Sequence, residues 1–255
     1  MDKYVIQAGT STSKFLQFSP GEDEIHLLLE EHAELSAIAL LNIAPGTQHR
    51  IRLHVEQMAG SRLNIVTFTL RGGDFLADVH IRLTGKGAEA RIAGAVVADG
   101  EETVEKNILI EHVAEGCTSD MLYKQILTGK SRGLIEGKVL VQPGAQRTAS
   151  LQTFGNLCIS PEAHALSRPM LEIYADDVKC NHGATIGKLD ETALFYMRQR
   201  GIPEVEARLL LQHAFVNDIL QRVPAEELRE KLSHLVEHRF RGELIACQGC
   251  WLCDK

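Results

Sequence analysis

Cationic side chains are in the minority. Lys and Arg number 27 against 34 Asp and Glu, a formal net charge of -7 over 255 residues, so the chain carries no electrostatic footprint for nucleic acid or an anionic membrane surface. No stretch approaches the roughly 18 consecutive apolar residues of a membrane span, and the start, Met1-Asp2-Lys3-Tyr4-Val5, has no apolar signal core. The expectation is a cytoplasmic protein with neither nucleic-acid nor membrane partners. Aromatic residues make up only 5%, few for a sugar-stacking groove, which argues against a glycosidase built on Glu102, Glu105 and Glu111. Gly85-Lys86-Gly87 lacks the Gly-x-x-x-x-Gly-Lys-Ser/Thr spacing of a phosphate loop, so any ATPase must be a partner. What the chain does have is 44% apolar and 24% charged residues, an ordinary globular balance that can bury a core.

Over residues 63–178 the sequence runs in short alternating segments broken by Gly, Pro and Asp, the pattern of many strands. Phe75, Ala77, Val79, Ile81 and Leu83 share one face, with Asp78, His80 and Arg82 on the other; similar runs occupy 104–113, 134–141 and 148–157. Leu83-Thr84-Gly85-Lys86 recurs as Leu127-Thr128-Gly129-Lys130, 44 residues later, which fits two solenoid coils of about 20 residues each. A β-sandwich competes for the same alternation. The first 60 residues are less regular: 24–29 and 36–42 read as strands and 9–13 as loop.

After Leu189 the signals become helical. Asp190 is positioned as an N-cap and Gly201 as a left-handed C-terminal cap, Pro203 opens a second helix to about Arg222, and Pro224 opens a third striped by Leu228, Leu232, Leu235, Val236 and Phe240. These helices are expected to cover the apolar end of the solenoid or to dock a partner. The organisation predicted is a β core over 1–188, a helical region over 189–245 and a Cys-rich tail over 246–255.

Six cysteines in a cytosolic chain read as thiols or metal ligands rather than disulfides. In Lys179-Cys180-Asn181-His182-Gly183, an extended backbone puts Cys180 and His182 on the same face. Such a pair can ligate iron or zinc; it also fits a half-buried thiol beside a surface imidazole. The histidines at 49, 54, 80 and 112 show no ligand spacing and read as packing or surface residues.

The run from Leu171 through Cys180-Asn181-His182-Gly183 to Glu191, followed by Leu194-Phe195-Tyr196-Met197-Arg198-Gln199-Arg200-Gly201-Ile202, resembles the C-terminal signature of the SufB/SufD family of iron–sulfur cluster assembly proteins. Its Cys-Asn-His-Gly form is closer to the SufD branch than to SufB, where Cys-Glu-His-Glu is usual. The resemblance implies a mainly β fold, a right-handed parallel β-helix (β-solenoid) with a small C-terminal α-helical region. It also implies a non-enzymatic scaffold of a SufBCD complex, pairing with a SufB-like subunit or with itself and binding the SufC ATPase. On the same ground His182 and its neighbour Cys180 are cluster or metal candidates at the subunit interface. Phe195, Arg198, Arg200, Leu209 and Phe215 are SufC-docking candidates. No cofactor is expected to be stably bound, only iron or an iron–sulfur cluster in transit. SufD chains typically carry an N-terminal helical domain, whereas this one enters its strand region early. Cys247, Cys250 and Cys253 form a C-x-x-C-x-x-C run outside the family pattern, with the thiolate density of metal sites. The alternative reading is an autonomous metal-binding protein or β-helix enzyme using Cys180, His182 and this tail.

Overall fold

The computed structural model describes residues 2–16, 18, 21–43, 46–71 and 73–243. Among them the chain forms β1 (Asp2–Ile6), β2 (Ser11–Leu16), β3 (Gly21–Leu29), β4 (Glu34–Asn42), β5 (Gln48–Gln57), β6 (Arg62–Arg71), β7 (Asp74–Leu83), β8 (Glu89–Ala98), β9 (Thr103–His112), β10 (Thr118–Leu127), β11 (Arg132–Val141), β12 (Thr148–Cys158), β13 (His164–Ile173) and β14 (Val178–Gly187), then α1 (Glu191–Gln199), α2 (Glu204–Leu220) and α3 (Glu226–Phe240). Odd-numbered strands make one seven-stranded parallel sheet, in the order β1 to β13; even-numbered strands make the other. The result is a two-sheet parallel β-solenoid. Ser11 to Ser13, expected as loop, open β2.

Each coil contributes one strand per sheet and takes about 29 residues, as the pairing of Asp74 with Thr103 and of Thr103 with Arg132 shows. The 44-residue repeat is therefore three half-coils, not two coils of 20. Leu83-Thr84-Gly85-Lys86 ends a strand of the odd sheet and Leu127-Thr128-Gly129-Lys130 a strand of the even sheet, so their glycines serve different needs. A Cβ at Gly85 would lie 1.9 Å from the Ala59 backbone nitrogen, whereas Gly129 turns at φ +62°. At one corner of successive coils a left-handed residue donates its N–H to a carbonyl of the next coil: Gly60 to Lys86, Gly87 to Glu115 and Gly116 to Gln146.

Strand alternation sends one side chain in two into the solenoid, and parallel register stacks them into columns. Leu27, Val55, Ile81, Ile110, Val139 and Leu171 form an aliphatic column from the odd sheet. The facing columns change character along the axis. Leu35, Leu63 and Ala90 are followed by Ser119, Ser150 and Cys180; Ala37, Ile65, Ile92 and Met121 are followed by Gln152 and His182. Polar groups thus accumulate inside the later coils, each needing a partner. His112 Nε2 lies 2.8 Å from Ser119 Oγ, which lies 2.8 Å from Ser150 Oγ, and Gln125 Nε2 donates to Asn156 Oδ1 at 2.7 Å.

The interior also tunes two bases. Burial holds the His112 imidazole down at about 4 and the Lys106 amine at about 7, with Lys106 Nζ 3.3 Å from Thr69 Oγ1 and over the Phe75 and Tyr123 rings. Both folded-state values lie below those of the free side chains, so between the two values the unfolded chain binds more protons and stability rises with pH. For His112 this amounts to ~3 kcal/mol lost between pH 7 and pH 4. Urea unfolding across that range is expected to show a stability curve flatter by this amount in His112→Asn, which keeps a polar partner for Ser119. Identical slopes would contradict the assignment.

The helices do not cover the end of the solenoid. Val216, Ile219 and Leu220 of α2, with Val223 and with Leu232 and Val236 of α3, pack on Val66, Phe68, Ala93, Ala95, Leu122 and Ile126 from the outer face of the even sheet. Arg222 pairs with Asp120 and Lys124 with Asp218, each at 2.6 Å. The local caps follow the sequence: Asp190 Oδ1 accepts from the N–H of Thr192 at 2.8 Å and of Ala193 at 3.0 Å, and Gly201 takes φ +86°. Because the helices lie on the flank, the last coil stays open among the described residues.

Candidate functional site

The last coil runs from β13 through a turn to β14. Among the described residues β13 pairs only with β11 and β14 only with β12, so each leaves a strand edge with unpaired backbone groups, a template for another chain. The turn between them is pinned by Tyr174 N–H to Val141 O at 2.9 Å, Asp177 N–H to Gln146 Oε1 at 2.9 Å and Arg147 N–H to Asp177 O at 2.6 Å. Around it Leu166, Met170, Ile173, Tyr174 and Ile186 are exposed, Tyr174 by 58% and Ile186 by 57%. Apolar side chains thus gather near the two strand edges.

Cys180 and His182 both lie on this coil. They are aligned with the inward residues Ser150 and Gln152 of β12, so they share the face that the extended backbone predicts. Cys180 is half-buried against the core. Desolvation raises its thiol pKa, opposed by a backbone hydrogen bond at Ser150. A thiol pushed upward is protonated at neutral pH, so it is a poor nucleophile until a metal displaces the proton. His182 is exposed, open to a ligand or partner. Beneath it Gln152 donates Nε2–H to Met170 O at 3.0 Å and links the two strands' surroundings.

The docking candidates divide. Phe195 is 61% exposed on α1; Arg198 pairs with Glu204 at 3.3 Å; Arg200 donates to Tyr196 Oη at 2.9 Å and stacks on its ring. Leu209 instead is buried, and Phe215 packs on the sheet flank beside Lys124, in the cluster that Val216 and Ile219 make with the solenoid. Among the described residues of this region the large apolar side chains that are exposed are Phe195, Tyr196, Val205 and Leu210. Cys247, Cys250 and Cys253 lie outside the described residues. Glu111, weighed as a glycosidase carboxylate, is engaged by Arg82 at 2.9 Å and Gln142 at 2.8 Å.

Sequence reasoning missed one constellation. His26, His54 and His80 fall in a single column on the outer face of the odd sheet. Only recurrence of histidine at coil-length intervals could have exposed it.

A family model described as SUF system FeS cluster assembly, SufBD core domain, matches residues 11–215. An iron–sulfur cluster assembly SufBD family protein of Mycobacterium tuberculosis is 30% identical over 226 residues, covering 86% of this chain and 57% of the relative. The iron–sulfur cluster assembly protein SufD of Escherichia coli is 31% identical over 176 residues, 69% of this chain and 42% of the relative. SufD of Bacillus subtilis is 24% identical over 212 residues, 83% and 48%. The chain spans about half the length of the curated relatives it matches. Polar columns ending at Cys180 and His182, a parallel solenoid and this similarity over most of its length agree: the chain belongs to the SufBD core-domain family of the SUF iron–sulfur cluster assembly system.

Proposed function

We propose that this chain is a SufD-like scaffold subunit, not itself an enzyme, which pairs through its open last coil with a SufB-like subunit or a second copy and binds a SufC-like ATPase through its C-terminal helices. One observation carries the reading: two free strand edges, a ring of exposed apolar side chains and the Cys180–His182 pair occupy the same coil. A second strand pairing there would add main-chain hydrogen bonds and bury the apolar ring, placing His182 at the junction where iron or a nascent cluster is held in transit. The ATPase would meet Phe195, Tyr196, Val205 and Leu210, and its nucleotide state would act by contacts that differ between two arrangements of the complex.

The autonomous-enzyme alternative fares worse. It needs a reactive nucleophile, and burial moves the Cys180 thiol in the opposite direction.

Replacing the exposed His182 by Ala is expected to change stability by no more than ~0.5 kcal/mol. In cells that depend on this chain, the same substitution is expected to lower activity of an iron–sulfur reporter enzyme at least about tenfold, the least expected for loss of a ligand contact. Normal reporter activity in a folded His182→Ala variant would remove His182 from the site.

A further inference from the structure

We propose that Glu24, His26 and His54 form a binding site for a borderline divalent first-row transition-metal ion, on the outer face of the odd sheet and away from the open coil. Their ligand atoms, one carboxylate oxygen and two imidazole nitrogens, all lie within 4.8 Å of one another. Parallel register creates the arrangement: His26 of β3 is aligned with His54 of β5, which is aligned with His80 of β7. The His26 and His54 rings stack with centroids 4.8 Å apart and planes 24° from parallel, about the spacing of neighbouring strands. Glu24, two residues before His26 on the same face, already reaches its Nε2 at 2.9 Å.

Tetrahedral coordination with bonds of about 2.0–2.1 Å holds ligand atoms about 3.4 Å apart. The side chains must therefore converge by roughly an ångström, a motion that half-buried rings at the surface of a fixed backbone can make. That backbone is fixed because the alternate residues Ile25, Leu27, Leu53 and Val55 are buried in the core, so the donors stand on a rigid platform. Two imidazoles and one carboxylate suit Zn²⁺, Co²⁺, Ni²⁺, Cu²⁺ or Fe²⁺; Ca²⁺ and Mg²⁺ call for oxygen donors.

The surroundings admit a cation. The groove over His26, His54 and His80 holds about 360 Å³. The flanking guanidiniums are engaged by carboxylates: Arg50 with Asp78 at 2.9 Å, Arg52 with Glu22 at 3.2 Å and Arg82 with Glu111 at 2.9 Å. Lys3, in register with His26, is the remaining cation along the groove. His80 stands edge-on to His54, centroids 6.3 Å apart, with Nε2 3.6 Å from Glu111 Oε2, near enough to supply a fourth donor. The proposal is independent of pairing and of cluster assembly; a bound ion would link two successive coils.

The test is an anaerobic Co²⁺ titration of the full chain with Cys180, Cys247, Cys250 and Cys253 replaced by Ser, followed by its d–d absorption. One equivalent is expected to bind without a thiolate-to-cobalt charge-transfer band, and excess Ca²⁺ is expected not to displace it. Glu24→Gln should weaken binding at least about tenfold, and His54→Ala should abolish it with the circular dichroism unchanged. His54→Gln, closer in size, serves if His54→Ala does not fold. Equal Co²⁺ binding by a folded His54 variant, or displacement by Ca²⁺, would overturn the site.

Discussion

Phe154→Ala is expected to destabilise the chain by ~3–5 kcal/mol, the range for removing a fully buried aromatic ring. Phe154 is 1% exposed and stands inside β12, edge-on to Tyr123 with ring centroids 6.4 Å apart. Its column continues outward to Ala184 of β14. Across the core, Gly137 makes room for the ring: a Cβ there would fall 2.4 Å from Phe154 Cζ. The flanking inward residues Gln152 and Asn156 are held in place by hydrogen bonds to Met170 O and Thr185 O. Leu166→Ala, removing an exposed side chain of the last coil, is expected to stay within ~0.5 kcal/mol. Equilibrium urea unfolding of the two variants reads both values; similar losses would mean that the core does not extend to β12 as described.

A second large effect is expected on association rather than folding. Ala184 and Ile186 are aligned with inward-facing residues of β12 but are exposed, because among the described residues no further coil lies above them. Lys at both positions can extend into water in the isolated chain, so its stability should barely change. In a paired assembly the same ammonium groups would be buried against an apolar ring, and an unpaired buried charge costs several kcal/mol. At ~1.4 kcal/mol per tenfold in affinity, pairing should weaken by at least about 100-fold.

Strands with one face in water were legible in the sequence. The burial of Phe75, Ala77, Ile81 and Leu83 follows their alternation. The two-sided burial of β8 was not legible: its stretch from Ile92 to Ala98 is buried throughout, because α2 and α3 cover the outer side of the even sheet and erase the polar phase. Helix ends were legible because capping is local, as Asp190 and Gly201 show. Where the helices dock was not, since an apolar stripe does not name its partner. Leu209 and Phe215 carried the right periodicity; Leu209 is buried and Phe215 packs on the flank of the even sheet.

Cys180 and His182 could be placed together because two residues of one strand suffice. Glu24, His26 and His54 could not, since their proximity depends on coil length. The 44-residue repeat suggested coils of about 20, and at that spacing the three histidines fall out of step. With coils of about 29 residues and shorter early ones they stack.

The most direct test of the open coil as the pairing surface is analytical ultracentrifugation of the chain, alone and mixed with a SufB-like subunit. Wild type is compared with the Ala184→Lys, Ile186→Lys double variant under the same conditions. Expected is a dimer, homo or hetero, for wild type and a monomer for the variant at the same concentration, with equal thermal midpoints. Equal association by the two proteins, or a wild-type chain that stays monomeric with the partner present, would contradict pairing through this coil.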